Sequence, residues 1–373
     1  MTYFIIAGEQ SGDLHGSNLV KELLEQDSEA MIYCWGGDLM EKAGAKLLMH
    51  YKKSAFMGFT IILKNLSTIR KNFELCEKDI DNIKPDRIIL IDYAGFNLRI
   101  AKYGKSKGYT VYYYISPKFW AWNERRVKKV KKYVDRMFII FPFEEQFYNK
   151  WDIPVKYVGN PLSDEIEKRL GEMPKKETIR NELGIGDKPV IGILAGSRRH
   201  EVEDILPLML RVVKYFPEHQ FVLAGVKNLP NELYMKIIGN EPIKLIKEKT
   251  YEILSISEAA LVTSGTATLE TALIGTPQVV CYKTDLISLL IGWIVIKVKY
   301  ISLVNLIADR EVVRELIGFE VNEKNIRSEL ETIICGGKKR TYILEGYRNI
   351  KERLGDAGAS KRIASEIVKP IAK

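Results

Sequence analysis

VIGILAGSRRHEV, residues 190–202, and LVTSGTATLE, residues 261–270, are two stretches in which an apolar run ends in small residues and a helical pattern follows. A third such stretch, FIIAGEQSGDLHG, opens the chain at residues 4–16. In a parallel sheet these turns present backbone N–H groups at a helix N-terminus, where phosphate binds. The sequence therefore predicts two βα halves with a ligand cleft between them, an arrangement that favours nucleotide-sugar chemistry.

Apolar runs of strand length alternate with helical stretches along the whole chain, which is typical of βαβ units and a parallel sheet. The runs are 3–7, 31–35, 87–92, 110–115 and 136–140 in a first series, and 190–194, 220–224, 243–246, 259–263 and 278–282 in a second. A charged, proline-rich stretch separates the two series and predicts a hinge at 159–162.

We therefore expect an α/β protein with two doubly wound, Rossmann-like domains that face each other across a cleft. The first domain would span residues 1–160 and the second would span 161–373, and the last helices could pack back on the first domain. A length of 373 residues fits two domains.

Composition narrows the classes of partner and compartment. A formal net charge of +9 favours an anionic partner, which could be nucleic acid, anionic lipid or a phosphorylated substrate. The four cysteines show no CxxC spacing, so we interpret them as structural thiols in a reducing compartment. The N-terminus lacks the basic region and long apolar core of a signal peptide, which predicts a cytoplasmic protein. The four histidines have no zinc-ligand spacing, so no metal is expected.

Three stretches could contact a membrane. The uncharged part of 286–303 is too short to span a bilayer, so this stretch is either a buried helix or an interfacial one. Residues 56–71 form either an inward-facing amphipathic helix or a docking surface for acyl chains, and their many apolar residues favour docking. A basic helix follows Trp120 and Trp122, which indicates either a solvated face or an interface with anionic lipid.

Polar residues at strand ends carry the candidate chemistry. Asp92 follows the apolar run 88–91, where it could act as general base or cap the next helix. Arg198 could neutralise a departing pyrophosphate beside the donors of Gly196 and Ser197. After a later strand of the second series, Ser264, Gly265 and Thr266 offer backbone N–H donors in the same way. Glu270 lies at the right reach for a ribose hydroxyl pair, unless it is a helix-buried glutamate paired with a lysine.

These motifs, taken in order, resemble a known family. They are AGEQSGDLHG, IDYAGFN, SPKFWAW, GNPL, AGSRRHEV, SGTATLE and SLVNLIADR, with LGDAGAS near the end of the chain. In this order and at these separations they are similar to those of the lipid-A-disaccharide synthases, which are GT-B glycosyltransferases. The resemblance covers nearly the whole chain, from Gly8 to about Asp309.

The resemblance implies an inverting glycosyltransferase of lipopolysaccharide lipid A biosynthesis. Such an enzyme joins UDP-2,3-diacylglucosamine to 2,3-diacylglucosamine 1-phosphate, called lipid X, and releases lipid A disaccharide 1-phosphate and UDP. It also implies site residues. The catalytic ones are Asp92 and Arg198; the donor-binding ones are Gly196, Ser197, Arg198, Ser264, Gly265, Thr266, Glu270 and Asn305; the acceptor-binding ones are Glu9, Ser11, His15 and Asn97. No cofactor and no metal are expected, because helix N-termini and Arg198 would take the place of a divalent cation.

Two other functions compete with this interpretation. A non-hydrolysing UDP-sugar epimerase has the same architecture but needs no surface for acyl chains. A nucleic-acid-binding protein would interleave aromatic with basic residues, whereas Trp120 and Trp122 precede the basic run, so no nucleic-acid partner is expected. The expected partners are the two acylated sugar substrates and the anionic surface of the inner membrane on its cytoplasmic face. The sequence leaves a homo-oligomer open.

Overall fold

A computed structural model describes residues 1–54, 66–122, 124–283 and 298–369 of the chain. It divides into two compact units, Met1–Asp164 with Ala357–Lys373, and Glu165–Asp356. Each unit holds one parallel sheet with helices between successive strands, so the predicted α/β class is confirmed.

The first unit is built on a seven-stranded sheet with the order β3-β2-β1-β4-β5-β6-β7. Its strands are β1 (Thr2–Ala7), β2 (Met31–Gly36), β3 (Lys46–His50), β4 (Arg87–Ile91), β5 (Thr110–Tyr114), β6 (Arg136–Ile139) and β7 (Val155–Tyr157). β1 lies inside the sheet next to the central strand β4, pairing Tyr3 with Ile32 of β2 on one side and with Arg87 of β4 on the other. The central strands are almost wholly buried, which explains their continuous apolar sequences.

Helices connect these strands and cover the sheet. Apart from Pro161–Gly171, which follows β7 and crosses the boundary between the two units, they are Gln10–Gln26, Asp38–Lys42, Tyr51–Ser54, Leu66–Ile83, Ala94–Ser106, Phe119–Trp122, Val127–Tyr133, Phe143–Asn149 and, after the second unit, Ala359–Val368, with a short 3₁₀ turn at Glu124–Arg126. The last of these helices packs against Gln10–Gln26 within the first unit. Its N-terminus is held by Asp164, whose carboxylate accepts the backbone N–H groups of Gly358, Ala359 and Ser360 over 2.7 to 3.2 Å.

The second unit repeats the architecture with six strands in the order β10-β9-β8-β11-β12-β13. These are β8 (Val190–Leu194), β9 (Gln220–Gly225), β10 (Ile243–Lys247), β11 (Ser257–Thr263), β12 (Gln278–Tyr282) and β13 (Glu315–Ile317). The helices are Lys176–Glu182, Arg199–Leu210, Asn231–Ile238, Thr250–Ile256, Thr266–Ile274, Leu303–Ala308, Glu323–Ile333 and Arg340–Leu354, with 3₁₀ turns at Val213–Tyr215 and Gly318–Glu320.

The described residues also bear on the membrane helices, the cysteines and the apolar stretches considered in the sequence. Within the described residues no helix is long and apolar enough to cross a membrane. Cys34, Cys76 and Cys281 are buried and free, whereas Cys335 is exposed, so three of the four thiols lie in the core. Residues 56–65 of the apolar stretch 56–71, and residues 286–297 of the apolar stretch 286–303, lie outside the described residues. Contact of either stretch with a membrane therefore stays a prediction.

Candidate functional site

Each sheet has one topological switch point, where the strand order reverses direction. In the first unit it lies between β1 and β4, and in the second between β8 and β11. Open α/β sheets bind ligands outside the carboxyl ends of strands at such a point. The three small-residue turns of the sequence follow strands at these switch points: 8–9 follows β1, 195–198 follows β8 and 264–266 follows β11. Asp92 belongs to a fourth turn, 92–93, which follows β4.

Asp92 is a half-buried carboxylate at the switch point of the first unit. Its pKa is raised from 3.8 to about 6, chiefly by burial and also by the nearby charge of Glu9, against the opposing effects of Lys118 and of a backbone hydrogen bond from Tyr93. Glu9, Asp92 and Lys118 thus follow three adjacent strands, β1, β4 and β5. A carboxyl group whose pKa lies near 6 is mostly ionised at neutral pH and still basic enough to accept a proton.

The backbone at Asp92 has an unusual conformation. Asp92 and Tyr93 have φ values of +45° and +48°, in the left-handed region that residues with a Cβ seldom adopt. The ring of Tyr93 fills the space over Gly8, since a Cβ at Gly8 would lie 2.3 Å from it. Position 8 therefore has room only for a glycine while the Tyr93 ring packs against it, and the two turns are in direct contact.

The side chain of Asn97 is buried, whereas a residue that binds the acceptor is expected to be exposed. Its side chain is fully buried, and its amide donates to the carbonyls of Ile91 over 3.1 Å and Asp92 over 2.8 Å. A group with no exposed surface cannot contact a substrate without a rearrangement of the turn. The structure instead shows Asn97 holding the backbone of Asp92.

The other residues of the first glycine-rich turn differ in their exposure. Glu9 is half-buried and Ser11 is exposed, so both are accessible to a ligand. Burial lowers the pKa of His15 to about 4, and the imidazole is therefore neutral at pH 7. Its Nδ1 is buried and has no hydrogen-bond partner among the described residues.

Lys118 belongs to the site although the sequence analysis did not single it out. It is exposed, and the loop on either side of it is fixed by buried hydrogen bonds. On one side the Ser116 hydroxyl lies 2.6 Å from that of Tyr148, and on the other the Trp120 indole donates to Glu144 over 3.1 Å. The signal available in the sequence was a lysine directly after a strand and a proline.

The anchoring of this loop corrects the interpretation of Trp120 as a lipid-facing residue. Its side chain is buried at 7% exposure and its N–H is bound to the carboxylate of Glu144. That carboxylate also accepts the backbone N–H groups of Ile140 and Phe141, and burial raises its pKa to about 7. The helix Val127–Tyr133 buries Val127 and Val130 and exposes its lysines, as an amphipathic surface helix does.

In the second unit, the turn after β8 presents Arg198 to solvent, with 65% of its side chain exposed. The carboxylate of Glu201 already engages the donors expected to bind pyrophosphate. It accepts the N–H groups of Ser197 over 2.9 Å and Arg198 over 3.2 Å, and its other oxygen lies 3.1 Å from the Arg198 guanidinium. Glu201 thus supplies the glutamate half of a capping box at the start of Arg199–Leu210, while the Arg198 side chain, which has no acceptor, forms an ion pair with it. An anion at this turn would compete with Glu201.

The turn after β11 starts the helix Thr266–Ile274, which has no side-chain cap. Gly265 lies at the N-cap, Thr266 is exposed, and the Ser264 hydroxyl donates to the carbonyl of Ile301 over 3.1 Å. Glu270 is paired with Tyr251, whose hydroxyl donates to it over 3.1 Å, instead of with a lysine. Burial raises the pKa of Glu270 above its usual range.

Asn305 does not lie on the wall of a ligand site in this structure. It is fully buried, and its amide donates to Val313 and Glu315 over 2.8 and 2.9 Å, while its oxygen accepts the N–H groups of Val312 and Val313. All four hydrogen bonds that an asparagine amide can form are used within the chain. The expected direct contact with a donor would need these bonds to break.

Within the described ranges, no group of three or more histidine, cysteine, aspartate or glutamate side chains is arranged to hold a metal ion. The two switch points offer carboxylates, cationic side chains and backbone donors.

Comparison with solved structures supports the same architecture. The chain matches the UDP-GlcNAc 2-epimerase of Neisseria meningitidis bound to UDP-GlcNAc with a TM-score of 0.65 at 16% identity, covering 99% of this chain and 100% of that one. A glycosyltransferase of Rickettsia africae matches with a TM-score of 0.62 at 13% identity, covering 98% and 97%. At these identities the likeness shows the fold alone.

Sequence relatives separate the families that share this fold. The chain is 38% identical to the lipid-A-disaccharide synthase of Syntrophus aciditrophicus, covering 96% of this chain and 95% of that one. It is 35% identical to that of Trichlorobacter lovleyi, covering 98% and 96%. The family model LpxB, lipid-A-disaccharide synthetase, matches residues 3–367. The chain is therefore a glycosyltransferase that belongs to the lipid-A-disaccharide synthase family.

Proposed function

We propose that this enzyme transfers the diacylglucosamine unit of UDP-2,3-diacylglucosamine to the primary hydroxyl of lipid X, giving lipid A disaccharide 1-phosphate and UDP. The observation that carries the proposal is the family match over residues 3–367, together with a carboxylate of raised pKa at the switch point of the first unit. Fold alone would not separate this reaction from epimerisation, since epimerases share the architecture.

On the acceptor side, Asp92 is the proposed general base. Inversion at the anomeric carbon needs the acceptor hydroxyl to attack as UDP leaves from the opposite face, and the carboxylate takes the hydroxyl proton in that step. A pKa of about 6 leaves Asp92 ionised at neutral pH, so transfer should rise as pH rises through 6 and level off above it. Glu9 and Ser11 are accessible beside it and are the proposed acceptor contacts.

On the donor side, Arg198 and the two helix starts are proposed to bind the pyrophosphate. Arg198 is exposed on a turn whose position is fixed by a capping box, so its guanidinium is available to a ligand. Charge that develops on the departing UDP would be stabilised by this guanidinium and by the N–H groups that begin Thr266–Ile274. Glu270 remains the proposed ribose contact, with Tyr251 as its present partner.

We also propose that the protein binds the anionic cytoplasmic face of the inner membrane peripherally, because both of its substrates are acylated. Support comes from the net charge of +9 and from one exposed basic surface. We define this basic surface as Arg125, Lys128, Lys129, Lys131 and Lys132, which flank or lie on Val127–Tyr133. A homo-oligomer remains part of the proposal and is tested by light scattering.

The reaction is tested by incubating purified protein with UDP-2,3-diacylglucosamine and lipid X and analysing the products by mass spectrometry. We expect a disaccharide 1-phosphate and one UDP for each disaccharide formed. A parallel sample receives UDP-GlcNAc without acceptor, which an epimerase would convert to its C2 epimer. Epimer formation without disaccharide in the first sample would replace the proposal with the rival activity.

A further inference from the structure

The turn that carries Asp92 needs outside support. Asp92 and Tyr93 are consecutive residues with a Cβ in the left-handed region. Such residues keep this conformation only where the surrounding structure holds them, and they cluster at functional sites. The contacts that hold this turn are therefore of interest in their own right.

One residue of the following helix binds three consecutive carbonyls of this segment. The Asn97 amide donates to those of Ile91 and Asp92 over 3.1 and 2.8 Å, and the Asn97 backbone N–H donates to that of Tyr93 over 3.0 Å. Because Asn97 is fully buried, water does not compete for these bonds. A single side chain thus fixes the path of the backbone on both sides of Asp92.

A second buried residue reaches the same carbonyl from the neighbouring strand. The hydroxyl of Tyr113, on β5, donates to the carbonyl of Asp92, and the N–H of Asp92 donates to the carbonyl of Tyr114 over 3.1 Å. Tyr113 has no exposed surface. Its hydroxyl is therefore unavailable to a substrate and is committed to the Asp92 turn.

We propose that Asn97 and Tyr113 are positioning residues that act on transfer through Asp92, by holding its backbone so that the carboxylate keeps one position beside the acceptor hydroxyl. This inference rests on the proposed function, in which Asp92 is the base. It gives Asn97 a purpose that its burial allows, in place of a direct contact with the acceptor.

Tyr113→Phe is the mildest test, because it removes one hydroxyl and keeps the buried ring. We expect kcat to fall about 5-fold to 10-fold, with the KM for lipid X and the UDP affinity within about 2-fold of wild type. Asn97→Ala removes two bonds and should lower kcat about 100-fold. The matched control is Tyr112→Phe on the same strand, whose buried hydroxyl has no hydrogen-bond partner among the described residues; its kcat should stay within about 2-fold of wild type.

Two further readouts separate positioning from a general loss of structure. In the Asp92→Asn background, neither Tyr113→Phe nor Asn97→Ala should lower the residual rate further, because a residue that acts through a carboxylate has no effect once the carboxylate is gone. In the presence of Asp92, a loosened turn admits water to the carboxylate, so the acidic limb of the rate profile should move below pH 6.

Specific outcomes overturn the inference. Unchanged kcat in Tyr113→Phe would do so, as would a raised KM for lipid X with kcat intact, which indicates direct contact. Equal losses in the wild-type and Asp92→Asn backgrounds would show that the two residues act independently of Asp92, and would leave the proposed reaction standing. Wild-type turnover in Asp92→Asn itself would overturn both the base assignment and this inference. Should Asn97→Ala fail to fold, Tyr113→Phe carries the test alone.

Discussion

A carboxylate buried enough for its pKa to rise to about 6 destabilises the folded protein at neutral pH. Asp92 has this property because burial and the charge of Glu9 disfavour its ionised form more than Lys118 favours it. The folded-state pKa lies above the ordinary aspartate value of 3.8, so the folded state binds more protons between these two pH values. Stability contributed by Asp92 is therefore present below about pH 4 and is lost as pH rises through 6.

Asp92→Asn should consequently stabilise the protein while it abolishes transfer. The amide is close in shape and never ionises, so we expect the variant to exceed wild type in free energy of unfolding by roughly 2 to 3 kcal/mol at pH 7.5. Near pH 4 the two proteins should be almost equal. Denaturant unfolding at both pH values measures the difference. A variant no more stable than wild type at pH 7.5 would mean that Asp92 is not strained by desolvation.

At the scale of elements, the ten predicted strands are all present. Nine of them are central parallel strands, which have continuous apolar sequences, and the tenth, β10, is an edge strand. The three missed strands, β3, β7 and β13, are edge strands. Lys46–His50 and Val155–Tyr157 are only partly buried, so neither has the apolar run that marks a central strand. Glu315 in β13 is buried against the backbone N–H groups of Ile301 and Ser302, a tertiary contact that no local pattern reveals.

For the candidate site, the sequence predicts which residues follow the strands but not which of their side chains are buried. The strand-end positions of Asp92 and Arg198 followed from the parallel sheet, since the carboxyl ends of its strands share one edge. The buried positions of Asn97 and Asn305 could not be predicted, because an asparagine near a strand end is as often a structural clamp as a ligand contact. The occupation of the Ser197 and Arg198 donors by Glu201 likewise depends on a side-chain conformation.

The capping box at the start of Arg199–Leu210 leads to a prediction about donor affinity. If pyrophosphate takes the N–H groups of Ser197 and Arg198, it must displace the Glu201 carboxylate. Glu201→Gln keeps a side chain suited to the capping box and removes the negative charge. We expect UDP to bind about 2-fold to 5-fold more tightly, which is the size typical of one partly exposed charge interaction. Isothermal titration calorimetry measures the affinity.

The control for this variant is Glu203→Gln, two residues along the same helix, where the carboxylate pairs with Arg199 over 3.3 Å. Its UDP affinity should match that of wild type. Unchanged or weaker UDP binding by Glu201→Gln would place the pyrophosphate elsewhere and make the carboxylate purely structural.

At the scale of the whole molecule, the net charge of +9 favours binding to an anionic membrane, where acylated substrates reside. The basic surface around Val127–Tyr133 places five exposed basic residues on or beside one helix. Each basic residue near an anionic bilayer contributes about 1 kcal/mol, an attraction that falls off within a Debye length. Peripheral binding through this surface should therefore weaken as salt is added.

Replacing Lys128, Lys129 and Lys132 with glutamate should reduce sedimentation with phosphatidylglycerol vesicles at least about 10-fold. The matched control replaces Lys236, Lys324 and Lys351, which are exposed in the second unit, and makes the same change in net charge. Equal losses in the two triple variants would mean that total charge, and not the basic surface, drives binding. UDP affinity should be unchanged in both.

The central claim is that this member of the lipid-A-disaccharide synthase family uses Asp92 as the base of sugar transfer. The most direct measurement is the single-turnover rate of disaccharide formation by wild type and Asp92→Asn at saturating donor and acceptor, with UDP affinity measured on the same samples. We expect the rate to fall by about 10² to 10⁴ while UDP affinity stays within about 2-fold. A rate close to wild type in Asp92→Asn would contradict the account.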